Sequence, residues 1–451
     1  MKTMVEMKYA LEHQQTTSVK LVEDAILSYT KWLDKNAIAM ISPQALNQAR
    51  VLDEERRMGH LRGPLHGIPI VIKDNIFYQD GTPTTANAYS LHDLFPPYHA
   101  TIVSKLLEQG AIILGKANLS EFAYFMSYDD MPSGYGSMYG QVKHPFDETI
   151  DPYGSSTGSA VAVKLDIVPG SIGSETNGSL MAPAYQCQIV SIKPTFGLVS
   201  QHGMIPISPT QDTAGPMAHT VYDCAILLDA IADSKKKEAL DITGSFLDQI
   251  EFPNPYRVGL IYPTNHAYTE TENKILENAT KNLQKIGIEV KKIDIELPHL
   301  DNDPTLLVEF KYAINAFLEE VKGSTKMSSL ADIISYNEKH QERCLKYGQS
   351  ILVKSNQTSG DLNDLSYLQK RHELLEKASL FEKVLKEERL TALALPYWLG
   401  FAPIYGNPSI CIPEGVFEGQ PKALVFVGHI GDDVSLIGLT HRYMTNKESK
   451  E

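Results

Sequence analysis

Two stretches of this chain carry residue types able to do chemistry. The first, Asp151 to Thr195, is dense in glycine and serine yet broken by apolar runs too regular for a linker. Two small-residue turns lie in it, Gly154–Ser159 (GSSTGS) and Gly173–Ser179 (GSETNGS), flanking a short helix-and-strand unit. Small residues cost entropy in regular structure and are useful where backbone must approach something closely. The pair therefore suggests a site built largely from backbone N–H groups and hydroxyls. The second stretch is Ile68 to Lys73, an almost wholly apolar, β-branched run that ends on lysine. Such a run reads as a strand buried on both faces. Lys73 is then either a strand-end lysine reaching water or a buried amine whose neutral form, favoured by desolvation, accepts a proton near neutral pH.

These segments do not stand alone. Gly63–Asn75 (GPLHGIPIVIKDN), Leu114–Phe122 (LGKANLSEF), the two turns, Lys193-Pro194-Thr195 and Gly406-Asn407-Pro408-Ser409 occur in one order along the chain. Together they resemble the amidase signature family of serine hydrolases, and the resemblance covers nearly the whole sequence. It implies an α/β fold: a single large domain, residues 1–451, whose central mixed β-sheet is covered by helices on both faces. Within it, 1–60 would be N-terminal helices, 61–233 the catalytic core and 234–451 the remainder.

The resemblance also implies roles. Ser179 matches the nucleophile, Ser155 the bridging serine and Lys73 the base of a Ser–Ser–Lys triad, with a cis peptide bond at Gly154–Ser155. The chemistry needs such an arrangement, because a serine hydroxyl is a poor nucleophile until a base removes its proton. The backbone N–H groups of Thr176, Asn177, Gly178 and Ser179 are the candidate donors for a developing oxyanion. No metal and no organic cofactor is expected. In isolation, Ser155, Ser156 and Thr157 before a helix would read as N-caps, and Gly178-Ser179 as an ordinary turn; Ser156 suits both capping and a bond near the relay.

Departures from the common family pattern are Glu175 for Asp, Asn177 for Gly, Met181 for Arg and Thr157 for Gly. The form looks closer to the branch that includes peptide amidases. Loss of the arginine argues against the glutaminase-type subunit of an aminoacyl-tRNA amidotransferase, which stays open as an alternative, as does a catalytically silent binding subunit. The expected substrate is a small-molecule or peptide amide. Tyr124, Met126, Tyr135 and Met138, in or beside a loop rich in Gly, Tyr, Met and Ser, are the candidate pocket walls; a plain surface loop is the other reading.

The elements that must position these residues follow from pattern. Ser18 can cap a helix carrying Leu21, Ala25, Ile26 and Tyr29, and a second helix, carrying Ala45, Ala49 and Leu52, is expected at Ser42-Pro43 with the proline at its first position. Residues 101–116 read as helix then strand about Gly110, and Ile167-Val168 as a short strand. Thr220 with Asp223 resembles a capping box. Beyond the charged segment at Ser234, a β-α-β unit is expected at Arg257–Tyr262, Glu270–Ile286 and Ile288–Ile295. Residues 305–390 are mainly helical, and Leu393–Leu395 and Ala423–Val427 are late strands.

Composition sets the class. The 451 residues are 43% hydrophobic and 21% charged, ordinary for a globular protein with a sizeable core. A length of this order would allow two or three domains. The formal net charge of −14 argues against a nucleic-acid-binding surface. No run approaches the roughly 20 apolar residues of a membrane-crossing helix, and the N-terminus has no apolar core of a secretory signal. The four cysteines, Cys187, Cys224, Cys344 and Cys411, are far apart and read as isolated buried thiols. A cytoplasmic location is expected, and the N-terminal helices could serve a homodimer.

Overall fold

Alternate residues of a strand face opposite ways, and here that alternation feeds two cores at once. In the strand Pro69–Lys73 (β2, taking Ile38–Ile41 as β1), Ile70 and Ile72 enter one hydrophobic cluster and Val71 the other. Ile112–Ala117 (β3) repeats the pattern, with Ile113 on one side and Ile112 and Leu114 on the other. Each fully buried aliphatic side chain contributes about 1.5–3 kcal/mol of transfer free energy.

The computed structural model describes residues 3–248, 250 and 255–447. The remaining strands are Gly170–Glu175 (β4), Val190–Lys193 (β5), Thr213–Ala218 (β6), Arg257–Pro263 (β7), Glu289–Ile295 (β8), Ala392–Leu395 (β9), Ser409–Phe417 (β10) and Gln420–Gly428 (β11). They form one 11-stranded mixed sheet in the order β1-β3-β2-β4-β6-β5-β10-β11-β9-β7-β8. β2 runs parallel to both β3 and β4, and β7 parallel to β8 and β9. The helices Ala45–Arg57, Thr157–Lys164 and Met181–Cys187 bury apolar residues in one cluster, Thr101–Glu108, Val221–Ile231, Glu270–Lys285 and Asp303–Glu320 bury theirs in the other, and Ser18–Lys31 contributes Val22 and Ala25 to the first and Leu21 to the second. All four cysteines are buried and unpaired.

Several local expectations change. Thr17, not Ser18, caps the first of these helices, its side chain accepting from Lys20 N–H, while the Ser18 and Val19 N–H groups donate to the Asp53 carboxylate at 2.7 and 3.0 Å. The next helix begins at Ala45 rather than Pro43, and residues 1–60 also contribute β1, which pairs antiparallel with β3 at the sheet edge. No strand forms at Ile167-Val168. It forms at Gly170–Glu175 (GSIGSE), a sequence with little strand propensity that is held by β2 on one side and β6 on the other. Among the described residues no helix is long and apolar enough to cross a membrane.

Candidate active site

β2 and β4 are parallel neighbours, so their C-terminal ends, Lys73 and Glu175, emerge side by side. In open α/β sheets the ends of parallel strands are where sites are built. Lys73 is fully buried. Its Nζ donates to Ser155 Oγ at 2.7 Å, to Ser174 Oγ at 2.9 Å and to the Ser174 carbonyl at 3.2 Å. Burial lowers its pKa to about 7, against the opposing pull of Asp212 and Glu175. A neutral amine able to take a proton is thus present near pH 7.

The Gly154–Ser155 peptide bond is cis, at the position the resemblance implied. A Cβ on Gly154 would stand 2.5 Å from Ser120 Oγ, which would have to shift to admit it. Ser155 is fully buried. Ser156 leaves the following helix uncapped by its side chain. Its Oγ instead donates to the Ser174 carbonyl at 2.9 Å and accepts from Ser174 N–H at 3.1 Å, while its own N–H donates to the Ser179 carbonyl at 3.2 Å. One serine thereby stitches the two small-residue turns together.

Glu175 shapes the second turn. Its Oε2 accepts the N–H groups of Leu180 and Met181 at 2.8 and 3.2 Å, folding the chain back on itself between them. Gly178 sits at φ +88°, and a Cβ there would meet Trp398 Nε1 at 2.8 Å. Both the left-handed backbone and the indole demand glycine. Ser179 is only 9% exposed. Among the described residues its hydroxyl and the N–H groups of Thr176, Asn177, Gly178 and Ser179 find no hydrogen-bond partner. Met181 packs with Tyr397 and Trp398, and Asn177 faces Gly400, so a loop from the far end of the chain fills the space behind these two departures.

Sequence reasoning missed Asp212 and Gln211, which precede β6. Thr176 Oγ1 donates to Asp212 Oδ1 at 2.5 Å and Gln211 Nε2 donates to the Thr176 carbonyl at 3.0 Å. Asp212 Oδ2 also accepts from Ile207 and Ser208 N–H. Their only signal was position just ahead of an unrecognised strand. Because Asp212 holds the Lys73 pKa up, Asp212→Asn is expected to move the lysine's titration, read by pH-dependent activity, to lower pH; an unmoved profile would mean Asp212 acts on the turn alone.

A cavity of about 410 Å³ opens over this site, with Ser179, Gly154, Thr176 and Asn177 at its base. Of the candidate wall residues, Tyr124 lines it. The others do not. Met126 is 1% exposed and belongs to the hydrophobic core, where burial of its thioether chain gains more than a pocket wall would. Tyr135 packs edge-on against Tyr347 under Lys346. The Met138 backbone is tied to Asn87 and Arg343. Phe122, Ala123 and Tyr124 run consecutively at positive φ (48°, 54° and 76°), redirecting the chain there. The remaining motif residues brace the frame: Lys116 Nζ lies 3.8 Å from Asp74 Oδ1, Thr195 bonds Asp433, and Asn407 bonds Glu382 and the Gly428 carbonyl. A wider surface cleft of about 980 Å³, between the helix Glu270–Lys285 and the β10–β11 hairpin, contains none of the site residues.

The family model described as Amidase matches residues 24–437. A probable amidase of Arabidopsis thaliana is 34% identical over 449 residues, covering 94% of this chain and 86% of the relative. A glutamyl-tRNA(Gln) amidotransferase subunit from Thioalkalivibrio sulfidiphilus is 30% identical over 477 residues, covering 98% and 97%. Among solved structures, the native peptide amidase from Stenotrophomonas maltophilia matches with a TM-score of 0.90 at 32% identity, covering 100% of this chain and 98% of that one.

Proposed function

Because the chain belongs to the amidase family, we propose that it hydrolyses a carboxamide C–N bond through an acyl-enzyme on Ser179. The observation that carries this reading is the buried Lys73 amine bonded to Ser155 Oγ, beside a turn whose serine hydroxyl and N–H groups are uncommitted and whose Thr176, Asn177 and Ser179 line a cavity. Neutral Lys73 takes the proton of Ser155, which takes that of Ser179 as its oxygen attacks the amide carbon. The carbonyl oxygen becomes negative and is met by the N–H groups of the 176–179 turn, where losing one donor costs roughly 3–4 kcal/mol. The relay then returns the proton to the leaving nitrogen, the C–N bond breaks, and ammonia or an amine departs. Water, deprotonated by the same relay, cleaves the ester and frees the carboxylate. The scheme needs no metal or organic cofactor, and we place the enzyme in the cytoplasm.

Likeness to the peptide amidase and the plant amidase supports amide hydrolysis by a free-standing enzyme over the amidotransferase reading, as does Met181 in place of an arginine. Fluorophosphonate labelling of the purified chain followed by peptide mapping tests the proposal. Label on the peptide containing Ser179, suppressed by a turned-over amide, is expected. Activity that appears only with glutamine and co-purified partner chains would favour the amidotransferase reading instead.

A further inference from the structure

The cavity above Ser179 is graded from floor to mouth. Ser179, nine-tenths buried and without a hydrogen-bond partner, forms part of the floor. Buried apolar side chains, Phe125, Met131 and Leu306 among them, form the walls. The mouth is different: the charged residues lining the cavity are Asp130 and Asp303, both exposed, and no lysine, arginine or histidine lines it. Asp303 accepts a hydrogen bond from the Tyr128 hydroxyl at 2.8 Å, and neither carboxylate forms an ion pair among the described residues. Tyr124 and Tyr128, 43% and 40% exposed, stand at the same rim.

Resting on the amide-hydrolase reading, the geometry points to amides that bear a cationic group, an ammonium or guanidinium, on the part of the substrate that lies at the cavity mouth, with Asp130 and Asp303 as the residues that select for it. Carboxylates next to aromatic faces form a favourable setting for a cation. The Tyr128 ring already attracts one, since Lys354 Nζ lies 4.5 Å from its centroid on a side chain that does not line the cavity. A substrate bearing a carboxylate in that position meets two like charges, and the cavity lining itself holds no lysine, arginine or histidine. Burial, then Asp303 and Asp301, push the Tyr128 hydroxyl up, so the phenol stays a neutral donor that fixes Asp303 at the rim. Because both acids are exposed, each contributes modestly and the preference is sensitive to salt.

Three matched amides, offered to the wild-type protein, test this: N-acetyl-lysinamide, N-acetyl-norleucinamide and N-acetyl-glutamic acid α-amide, followed by ammonia release. At low ionic strength the lysine amide is expected to exceed the norleucine amide in kcat/KM by about 5–10-fold, with the glutamate compound slowest. Molar salt, or the double substitution Asp130→Asn with Asp303→Asn, is expected to bring the lysine-to-norleucine ratio close to one. The ratio is the readout because Asp303 opens a helix and Asp130 sits in a turn: structural damage lowers both rates together, whereas loss of charge recognition moves the ratio. A norleucine amide turned over as fast as the lysine amide overturns the inference and leaves the amidase reading standing. A preference that survives the double substitution also overturns it. Turnover of none of the three, with no fluorophosphonate label on Ser179, overturns both.

Discussion

Replacing Ser179 by alanine is expected to lower kcat/KM for any amide substrate by about 10⁴-fold or more, the loss typical when a hydrolase nucleophile is removed. The geometry makes the substitution clean. Ser179 Oγ has no hydrogen-bond partner among the described residues, so its removal orphans no buried group. The turn around it is held by other atoms: the Glu175 carboxylate on Leu180 and Met181 N–H, the Asp212 carboxylate on Thr176, and glycine at the left-handed position 178. Thermal unfolding of Ser179→Ala should therefore stay close to wild type while ammonia release and fluorophosphonate labelling vanish. Retention of more than about a hundredth of the activity would place the nucleophile elsewhere.

Lys73→Ala is expected to cost about as much, on the order of 10⁴-fold, because members of one proton relay fail as a unit. Its signature is distinct. Burial brings the amine to about 7, and only the neutral form accepts the proton from Ser155. In the wild type, kcat/KM should rise about tenfold per pH unit below about 7 and flatten above it. In Lys73→Ala the residual rate should lose the break near 7 and climb with hydroxide throughout. Persistence of the same break in the variant would assign it to another group, Asp212 being one alternative, since burial raises its carboxyl to about 6. Removing Lys73 leaves Ser155 Oγ and Ser174 Oγ without their shared donor, so a folding check by melting belongs beside the rate.

Much of the candidate site was readable because its residues are local in sequence. The motif residues Ser155, Ser156, Glu175, Gly178 and Ser179 fall within a few dozen positions, and the demands on them are stereochemical: a small residue where Trp398 closes in, a left-handed glycine, a carboxylate one turn ahead of a helix. Such demands leave a trace in residue type wherever the chain lies. The long β-branched run into Lys73 likewise announced a buried strand, and the β-α-β unit from Arg257 to Ile295 followed its periodicity.

Other features had no local trace. β4 and β6 are built from GSIGSE and TAGPMA, whose own propensity points away from strands, and they exist because each is flanked on both sides in the sheet. Met126 looked like Tyr124 to a compositional reading; the left-handed turn at Phe122–Tyr124 sends the tyrosine to the cavity and the methionine to the core. Asp212, Trp398 and Asp303 come to the site from segments distant in sequence.

The chain's order of residues thus singled out the proposed nucleophile, bridge and base, since these are matters of side-chain identity and short-range backbone geometry. Tertiary structure alone decided their working state and their surroundings. Desolvation that brings the Lys73 amine to about 7, the carboxylate that holds Thr176, the indole behind Gly178 and the acidic mouth of the cavity all arise from burial and from contacts between distant segments, quantities that no single stretch of sequence contains.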